Sequence, residues 1–394
     1  MKPTDYCQRI SLIFCITALM LFHAHAQPRQ PKRSSGTFKK HTISAVFVSE
    51  GAAVGDVNND GHIDVLAGHY WYEAPDWKRH LLHADTLNPV KGYSTTFLNF
   101  CIDVNNDGWA DLIRFDVPGG ACVWYENPKN TNTLWKSHLI LASAGIETPI
   151  FTDVDRDGRK DIICNDAAKK EVIWLKAPIA KGDTTWQRYL ISSDSLIATH
   201  RYTHGVGWGD VNGDGRNDVI VKTGWWEAPA DVKTPHWIFH PANLGADCAN
   251  MFVVDADLDG DADILSSSAH DYGIWWHEQQ KDNSGTNWTT HLISKQFSQS
   301  HAMAMEDING DGHPDLITGK RYFAHNEKDP GAFEPAVLYW FEFQPGKTPR
   351  WIPHEIDNNS GIGNSFVVQD INKDGLLDII TSNKKGVYFF EQLK

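Results

Sequence analysis

Three regularities predict an all-β chain in which seven four-stranded antiparallel blades close into a ring, a seven-bladed β-propeller. A nine-residue pattern, Asp-x-Asn/Asp-x-Asp-Gly-x-x-Asp, occurs seven times, starting at Asp56, Asp103, Asp153, Asp210, Asp255, Asp307 and Asp370. Successive copies start 47, 50, 57, 45, 52 and 63 residues apart, the length of one four-stranded blade. The seventh unit lacks its last strand, and a segment with that strand's signature stands at the other end of the chain, Phe38-Lys39-Lys40-His41-Thr42-Ile43. An N-terminal strand completing the last blade would seal the ring and cover two sheet edges that otherwise invite pairing with another chain.

Each unit repeats the same order of elements. A short apolar run such as Val253-Val254 enters the acidic loop and a second, such as Ile264-Leu265, leaves it. An aromatic segment follows: Trp71-Tyr72-Glu73-Ala74-Pro75, Trp124-Tyr125-Glu126-Asn127-Pro128, Trp174-Leu175-Lys176-Ala177-Pro178 and Trp225-Trp226-Glu227-Ala228-Pro229. It is looser at Trp275-Trp276 and Trp340-Phe341-Glu342, and ends the chain at Phe389-Phe390-Glu391. The unit closes on Trp-x-x-His, at Trp77/His80, Trp135/His138, Trp237/His240, Trp288/His291 and Trp351/His354, with Tyr189 in the His place after Trp186. Short β-rich runs broken by Gly, Pro and Asn read as four antiparallel strands.

The loops predict metal. Side-chain oxygens at positions 1, 3, 5 and 9, with a backbone carbonyl from position 7, are the ligands a hard cation such as Ca²⁺ prefers. The candidate calcium ligands are Asp56, Asn58, Asp60 and Asp64; Asp103, Asn105, Asp107 and Asp111; Asp153, Asp155, Asp157 and Asp161; Asp210, Asn212, Asp214 and Asp218. The last three loops offer Asp255, Asp257, Asp259 and Asp263; Asp307, Asn309, Asp311 and Asp315; Asp370, Asn372, Asp374 and Asp378. The glycine at position 6 permits the sharp turn that aims these oxygens inward. Formal charge is −14, and seven Ca²⁺ would bring the protein close to neutral. Metal ligands therefore account for the acidity, and no basic patch points to nucleic acid.

The N-terminus reads as an export signal. Lys2 and Arg9 precede an apolar run, Ile10 to Phe22, and Ala24-His25-Ala26 is a small-x-small cleavage site. The run is too short for an ordinary membrane span. Residues 1–26 are thus expected to be a signal peptide cleaved near Ala26, residues 27–37 a flexible lead-in, and residues 38–394 a single secreted propeller with no membrane span. A core of this size does not need disulfides, so Cys101, Cys122, Cys164 and Cys248 are expected as free buried thiols or with one bridge at most.

Residues that recur in every blade are expected to be structural, because a closed ring has one active face. That reading covers His41, His80, His138, His240, His291, His354 and the repeated tryptophans. The irregular residues carry the function. Six residues before each loop stand Glu50, Phe97, Glu147, His204, Ala249, His301 and Asn364. Six strand residues span about 20 Å. This ring is therefore expected around the channel mouth opposite the acidic loops. The second strands return to that face with His69 and Tyr70, Asp116, Asp166, Lys222, His270 and Tyr272, and Tyr322; a lid-like insertion from Lys320 to Pro335 adds His325. These are the candidate substrate-binding residues, with His200, Arg201 and Tyr202 beside His204. Two imidazoles and two carboxylates on one ring are compatible with zinc or a similar ion at His204, His301 and Glu147 or Glu50.

The chain resembles FG-GAP/VCBS-repeat propellers, the repeat also found in integrin α-subunit heads, over residues 38–394. The aromatic-Glu-x-Pro and Trp-x-x-His segments make it similar to the propeller domain of fungal aldos-2-ulose dehydratases. That resemblance implies sugar dehydration by β-elimination with the help of zinc, although those enzymes continue into cupin domains and the sequence here stops at Lys394. Elimination needs a base, for which His204, His301 or Tyr202 are the candidates, and a cation at the enolate, for which Arg321, Lys320 or a bound metal are. The other expectation is a non-catalytic propeller that binds a glycan, another small molecule or a protein.

Overall fold

The computed structural model describes residues 34–84, 91–282 and 285–394. The expected signal peptide and most of the lead-in lie outside the described residues. The end of that lead-in is tied down, since Ser34 N donates to Asn309 O and Leu393 N to Thr37 O. Among the described residues no helix is long and apolar enough to cross a membrane.

The blades are assembled as the repeat predicts, from innermost strand outward. Ala53–Gly55, Asp64–Ala67, Tyr70–Glu73 and Lys78–Leu81 form the first, and Val206–Gly209, Asp218–Val221, Gly224–Glu227 and Ile238–Pro241 the fourth. The fifth runs Phe252–Val254, Asp263–Ser267, Tyr272–Asp282 and Gly285–Ser298; the sixth Met303–Glu306, Asp315–Gly319, Leu338–Gln344 and Arg350–Asp357. The second and third share a strand. Lys136–Thr152 pairs first with Gly120–Glu126 as the outer strand of blade two, then with Asp161–Asp166 as the inner strand of blade three. The two blades thus form one seven-stranded sheet, a continuity the sequence does not announce.

The ring closes as predicted. Phe38–Ser44 lies antiparallel against Gly386–Gln392, with Phe38 opposite Gln392 and His41 opposite Phe389, and Phe366–Gln369 and Asp378–Asn383 complete that blade. Phe38 packs into the cluster holding Trp340 and Phe390, and Ile43 into the one holding Val65 and Phe389, so the strand ties blade seven to both neighbours.

The repeated His and Trp have one job. The outer-strand His lies flat on the third-strand Trp, with ring centroids 4.1 Å apart for Trp71/His80 and 4.2 Å for Trp124/His138, Trp225/His240 and Trp340/His354. Its Nε2 then reaches a Glu two residues beyond the Trp, at 2.8 Å for His80–Glu73 and 2.9 Å for His138–Glu126. The two strands are thereby clamped by a stacked ring and a charge-assisted hydrogen bond. Replacement of His138 by Ala removes both, and we expect a loss of about 1–3 kcal/mol in denaturant unfolding, with little change in fold by circular dichroism.

The acidic loops superimpose in their hydrogen bonding. The position-6 N–H donates to the first Asp in six loops, as Gly61 to Asp56 at 2.9 Å and Gly108 to Asp103 at 2.8 Å. Gly61 sits at φ 88° and Gly108 at φ 95°, and a Cβ on either would meet no atom within 4 Å, so conformation rather than space demands glycine there. The ninth Asp does more than the pattern suggested. Asp64 accepts from Val57 N and from Ala74 N just past the third strand, and every other copy makes the equivalent pair of bonds. A buried carboxylate thus pins each loop to its own blade.

All four cysteines of the described chain are free, and Cys122, Cys164 and Cys248 are buried in the sheets.

Candidate functional site

The site grows from breaks in the inner strands. In Lys136–Thr152 the ladder with the next strand passes from Ile150 to Gly145, and the residues between leave the sheet. Ile146 takes φ 74°, a costly conformation for a β-branched residue, and Glu147 follows it into the channel. His204 precedes Val206–Gly209, with Gly205 at φ 69° turning the chain into the strand. His301 stands just ahead of Met303–Glu306, and Arg321 just after Asp315–Gly319.

These four meet. Glu147 Oε2 lies 3.4 Å from His204 Nε2, 3.7 Å from Arg321 Nη1 and 4.0 Å from His301 Nδ1, and accepts from Asn364 Nδ2 at 3.4 Å. Blades three, four, six and seven therefore converge across the channel. Burial works against charge on Glu147, but His204, Arg321 and Asn364 overcome it and hold the carboxyl below its ordinary range. Glu50 is fully buried and pairs with Arg321 Nη2 at 3.2 Å. Arg321, 1% exposed on its side chain, is thus the cation shared by two carboxylates, and it also faces the Phe97 ring at 5.2 Å. Its Nη1 lies 3.2 Å from His301 Nε2, and a guanidinium can only donate. Burial and that positive charge keep His301 neutral, its pKa well below the ordinary value.

A second imidazole group adjoins the first. The ring of His270 is 4.5 Å from that of His204 and 5.5 Å from that of His301, and ligand atoms of the three lie within 4.8 Å of one another. Beyond it His270 Nδ1 meets His325 Nδ1 at 3.0 Å, and His325 Nδ1 donates to Asp329 Oδ2 at 2.7 Å. Burial first, then the neighbouring imidazoles, lower the pKa of His270. The three nitrogens of His204, His270 and His301 are close enough to share an ion. The zinc expectation fits less well on the carboxylate side, because Arg321 already supplies the positive charge between His301, Glu147 and Glu50.

The open space lies in front of these groups. A cavity of about 510 Å³ is lined by Tyr93, Phe97, Glu147, His200, Tyr202, His204, Asp247, His270 and His325, with Val117 and Pro118. A larger one of about 700 Å³ adjoins it, sharing His200, Tyr202, His204 and Asp247 and adding Arg201 and Lys222. Burial raises Asp247, but the Lys222 ammonium overcomes it and holds the carboxyl low.

Of the residues picked from sequence, Tyr202, His204, His270, His325 and Lys222 line these cavities, with Glu147 at the wall. His301, Arg321 and Glu50 lie behind it and line neither cavity. Lys320 is turned away: its side chain is fully buried, and its ammonium is held by Gly331 O near Glu334. Tyr272 hydrogen-bonds Glu334, Tyr322 packs on Phe323 and Lys385, Asp116 pairs with Arg114, and Asp166 with Arg188. His69 stacks near His83, and Tyr70 near Arg79. None of these six lines the cavities. The expected lid is a fixed wall, with Gln299 bonded to Asp329, Lys384 to Phe323 O, and Tyr272 to Glu334. Tyr93, Asp247 and Asp329 were missed. Only Asp329, four residues after His325, carried a sequence signal, as one turn brings such residues together.

The acidic loops can hold cations. Oxygens of Asp255, Asp257 and Asp259 lie within 4.8 Å of one another, and those of Asp153, Asp155 and Asp161 are as close but with the Lys176 ammonium already donating to Asp155. That is the oxygen-only donor set a hard ion takes.

A model of the FG-GAP-like repeat matches residues 103–164 and 255–318, two spans that each contain two acidic loops. No curated protein matches the chain by sequence. Among solved structures, an Agrocybe aegerita lectin described as specifically recognising non-reducing terminal N-acetylglucosamine is 17% identical, with a TM-score of 0.43, covering 82% of this chain and 81% of that one. The V. cholerae biofilm matrix protein Bap1 is 13% identical, with a TM-score of 0.34, covering 86% of this chain and 45% of that one. Likenesses this loose say nothing about a ligand.

Proposed function

We propose that this propeller binds a carbohydrate or a similarly polar small ligand in the cavity around Tyr202, His204 and His270, with Ca²⁺ in acidic loops bracing the blades. One observation carries the reading. The cavity offers the Tyr93, Phe97 and Tyr202 rings beside polar groups whose positions are already fixed, while the strongest charges, Arg321 and Lys320, are satisfied inside the protein. Rings that cover the apolar face of a sugar, with a few oriented polar groups at its edge, make a recognition site. An elimination would need a cation at the developing enolate, and neither expected side-chain cation borders the cavity, which leaves that role to an ion held by His204, His270 and His301. We also propose export, from the basic start and apolar run before Ala26.

Elimination survives as a second reading because His204, against Glu147, and Tyr202 do border the space. Glycan-array screening of calcium-loaded protein, followed by calorimetry on the hits, separates the two. We expect binding that weakens about tenfold or more in Tyr202→Ala and His204→Ala, the loss of roughly 1.4 kcal/mol that one good contact supplies. Binding untouched by both changes would overturn the cavity assignment. Ultraviolet absorbance from a new conjugated double bond, formed from keto-sugars or uronate glycans and lost in His204→Ala, would establish the second reading instead.

A further inference from the structure

One blade departs from the clamp the others share. Where five blades place a Glu two residues after the stacked Trp, and blade seven places Glu391 after Phe389, blade three has Lys176, and Tyr189 replaces the His that such a Glu would hold. Lys176 is not left idle. Its side chain is 8% exposed and runs down into the third acidic loop, where Nζ donates to Asp155 Oδ2 at 2.5 Å and to Asp157 Oδ2. Asp155 and Asp157 are positions 3 and 5, two of the oxygens a cation would take. Lys233 adds a second ammonium 3.5 Å from Asp155 Oδ2.

Other loops differ. In the second, Lys129 reaches Asp107 alone and is half exposed. In the fifth, which also has four Asp, Lys281 pairs with Asp261, at position 7, and Glu278 adds negative charge nearby. In the fourth, Arg216 pairs with Asp214 but with no second ligand position, so in none of these three does one cation bridge two of them.

We infer that the third loop is closed by its own cation, the Lys176 ammonium, and takes no calcium ion, so that the ring holds at most six. A buried ammonium spanning positions 3 and 5 supplies the charge that gathers the carboxylates, and a divalent ion entering beside it would meet repulsion instead of open ligands. This rests on the calcium reading of the other loops. It also gives Lys at position 176 a purpose that neither the blade clamp nor the cavity explains.

The test counts ions. Full-length protein, stripped with chelator and desalted, is titrated with Ca²⁺ by calorimetry, and bound calcium is counted by elemental analysis after gel filtration. Lys176→Gln is expected to gain one ion over the parent, Asp157→Asn to leave the parent's count unchanged, and Asp60→Asn in the first loop to lose one. An unchanged count in folded Lys176→Gln, or one ion lost in Asp157→Asn, overturns the inference. Should Lys176→Gln fail to fold, the Asp157→Asn count decides alone. A parent that binds no calcium overturns it too, and in that case Asp60→Asn also changes nothing, which marks the failure as that of the calcium reading itself.

Discussion

A protein lacking residues 1–44 is expected to lose its cooperative melting transition and to elute from gel filtration as aggregate. Phe38–Ser44 supplies one of the four strands of blade seven, paired from Phe38↔Gln392 to Ser44↔Val387. Its removal leaves one edge of Gly386–Gln392 unpaired and Glu391 without His41, bonded at 2.7 Å. It also severs blade six, because Lys40 Nζ bonds Asp357 Oδ2 at 3.0 Å and the chain at Gly36 lies against the Trp340 ring. Two apolar clusters open, those of Phe38 and of Ile43. Single-domain proteins are stable by about 5–15 kcal/mol in all, so a loss on the order of 5 kcal/mol or more leaves little folded ring, and the exposed edge then recruits other chains. Appending Phe38–Ser44 after Lys394 through a short flexible linker should restore a sharp melt, since the strand then reaches the same edge from the other side. A truncated protein that melts like its parent would show that the ring is not held by this closure.

Much of this architecture was legible because it repeats. Seven loops in register, and a His-bearing strand at the N-terminal end matching the one the last unit lacks, fix the blade count and the closing strand, since a repeated pattern averages away the accidents of any one blade. The Trp/His pairs were readable as structural for the same reason, although their geometry, a flat stack capped by Glu, needs coordinates. The continuity of Lys136–Thr152 was hidden, because Gly145 and Pro149 punctuate that stretch as a turn would. The chain instead bulges there, and the bulge is what delivers Glu147. The site was legible only in part. Counting back from each loop found the channel ring of Glu50, Glu147, His204 and His301, because strand length is nearly constant. It could not tell which of these would face the cavity, as that depends on where Arg321 goes. Nor could it find Tyr93 or Asp247, which lie in connections of irregular length, where register carries no information. Unlike Lys222 and His270, other second-strand candidates lie away from the cavities for a plain reason: Asp116, Asp166, Tyr70 and Tyr272 are paired or packed within or beside their own blades.

Chelation should lower the melting temperature by on the order of 10 °C or more, and Ca²⁺ but not equal Mg²⁺ should restore it. Each site filled at a hundred times its dissociation constant contributes about 2.7 kcal/mol, and several such sites stand along one rim. Stripped of ions, a loop with no bridging ammonium of its own confronts its own carboxylates, as in the fifth, where burial and then the nearby Asp259, Glu278 and Asp255 raise Asp257. Mg²⁺ fails as a substitute because it demands a small octahedron and gives up water reluctantly. The response to pH follows from the ninth-position carboxyls. Burial raises Asp64, Asp161, Asp218, Asp263 and Asp378 to about 6, and Asp111 and Asp315 to about 7. A carboxyl raised above its unfolded value favours the folded state when protonated, and that contribution fades as pH rises through its folded pKa. The ion-free ring therefore gains stability as pH falls from about 7.5 to 5.5, the window in which protons compete hardest with Ca²⁺ for the same oxygens. The gap in melting temperature between calcium-loaded and chelated protein should accordingly narrow on acidification, and adding Ca²⁺ at pH 6.5 in weak buffer should release protons. A gap that widens towards pH 5.5, or melting indifferent to chelator at every pH, would mean that these carboxylates serve the backbone alone.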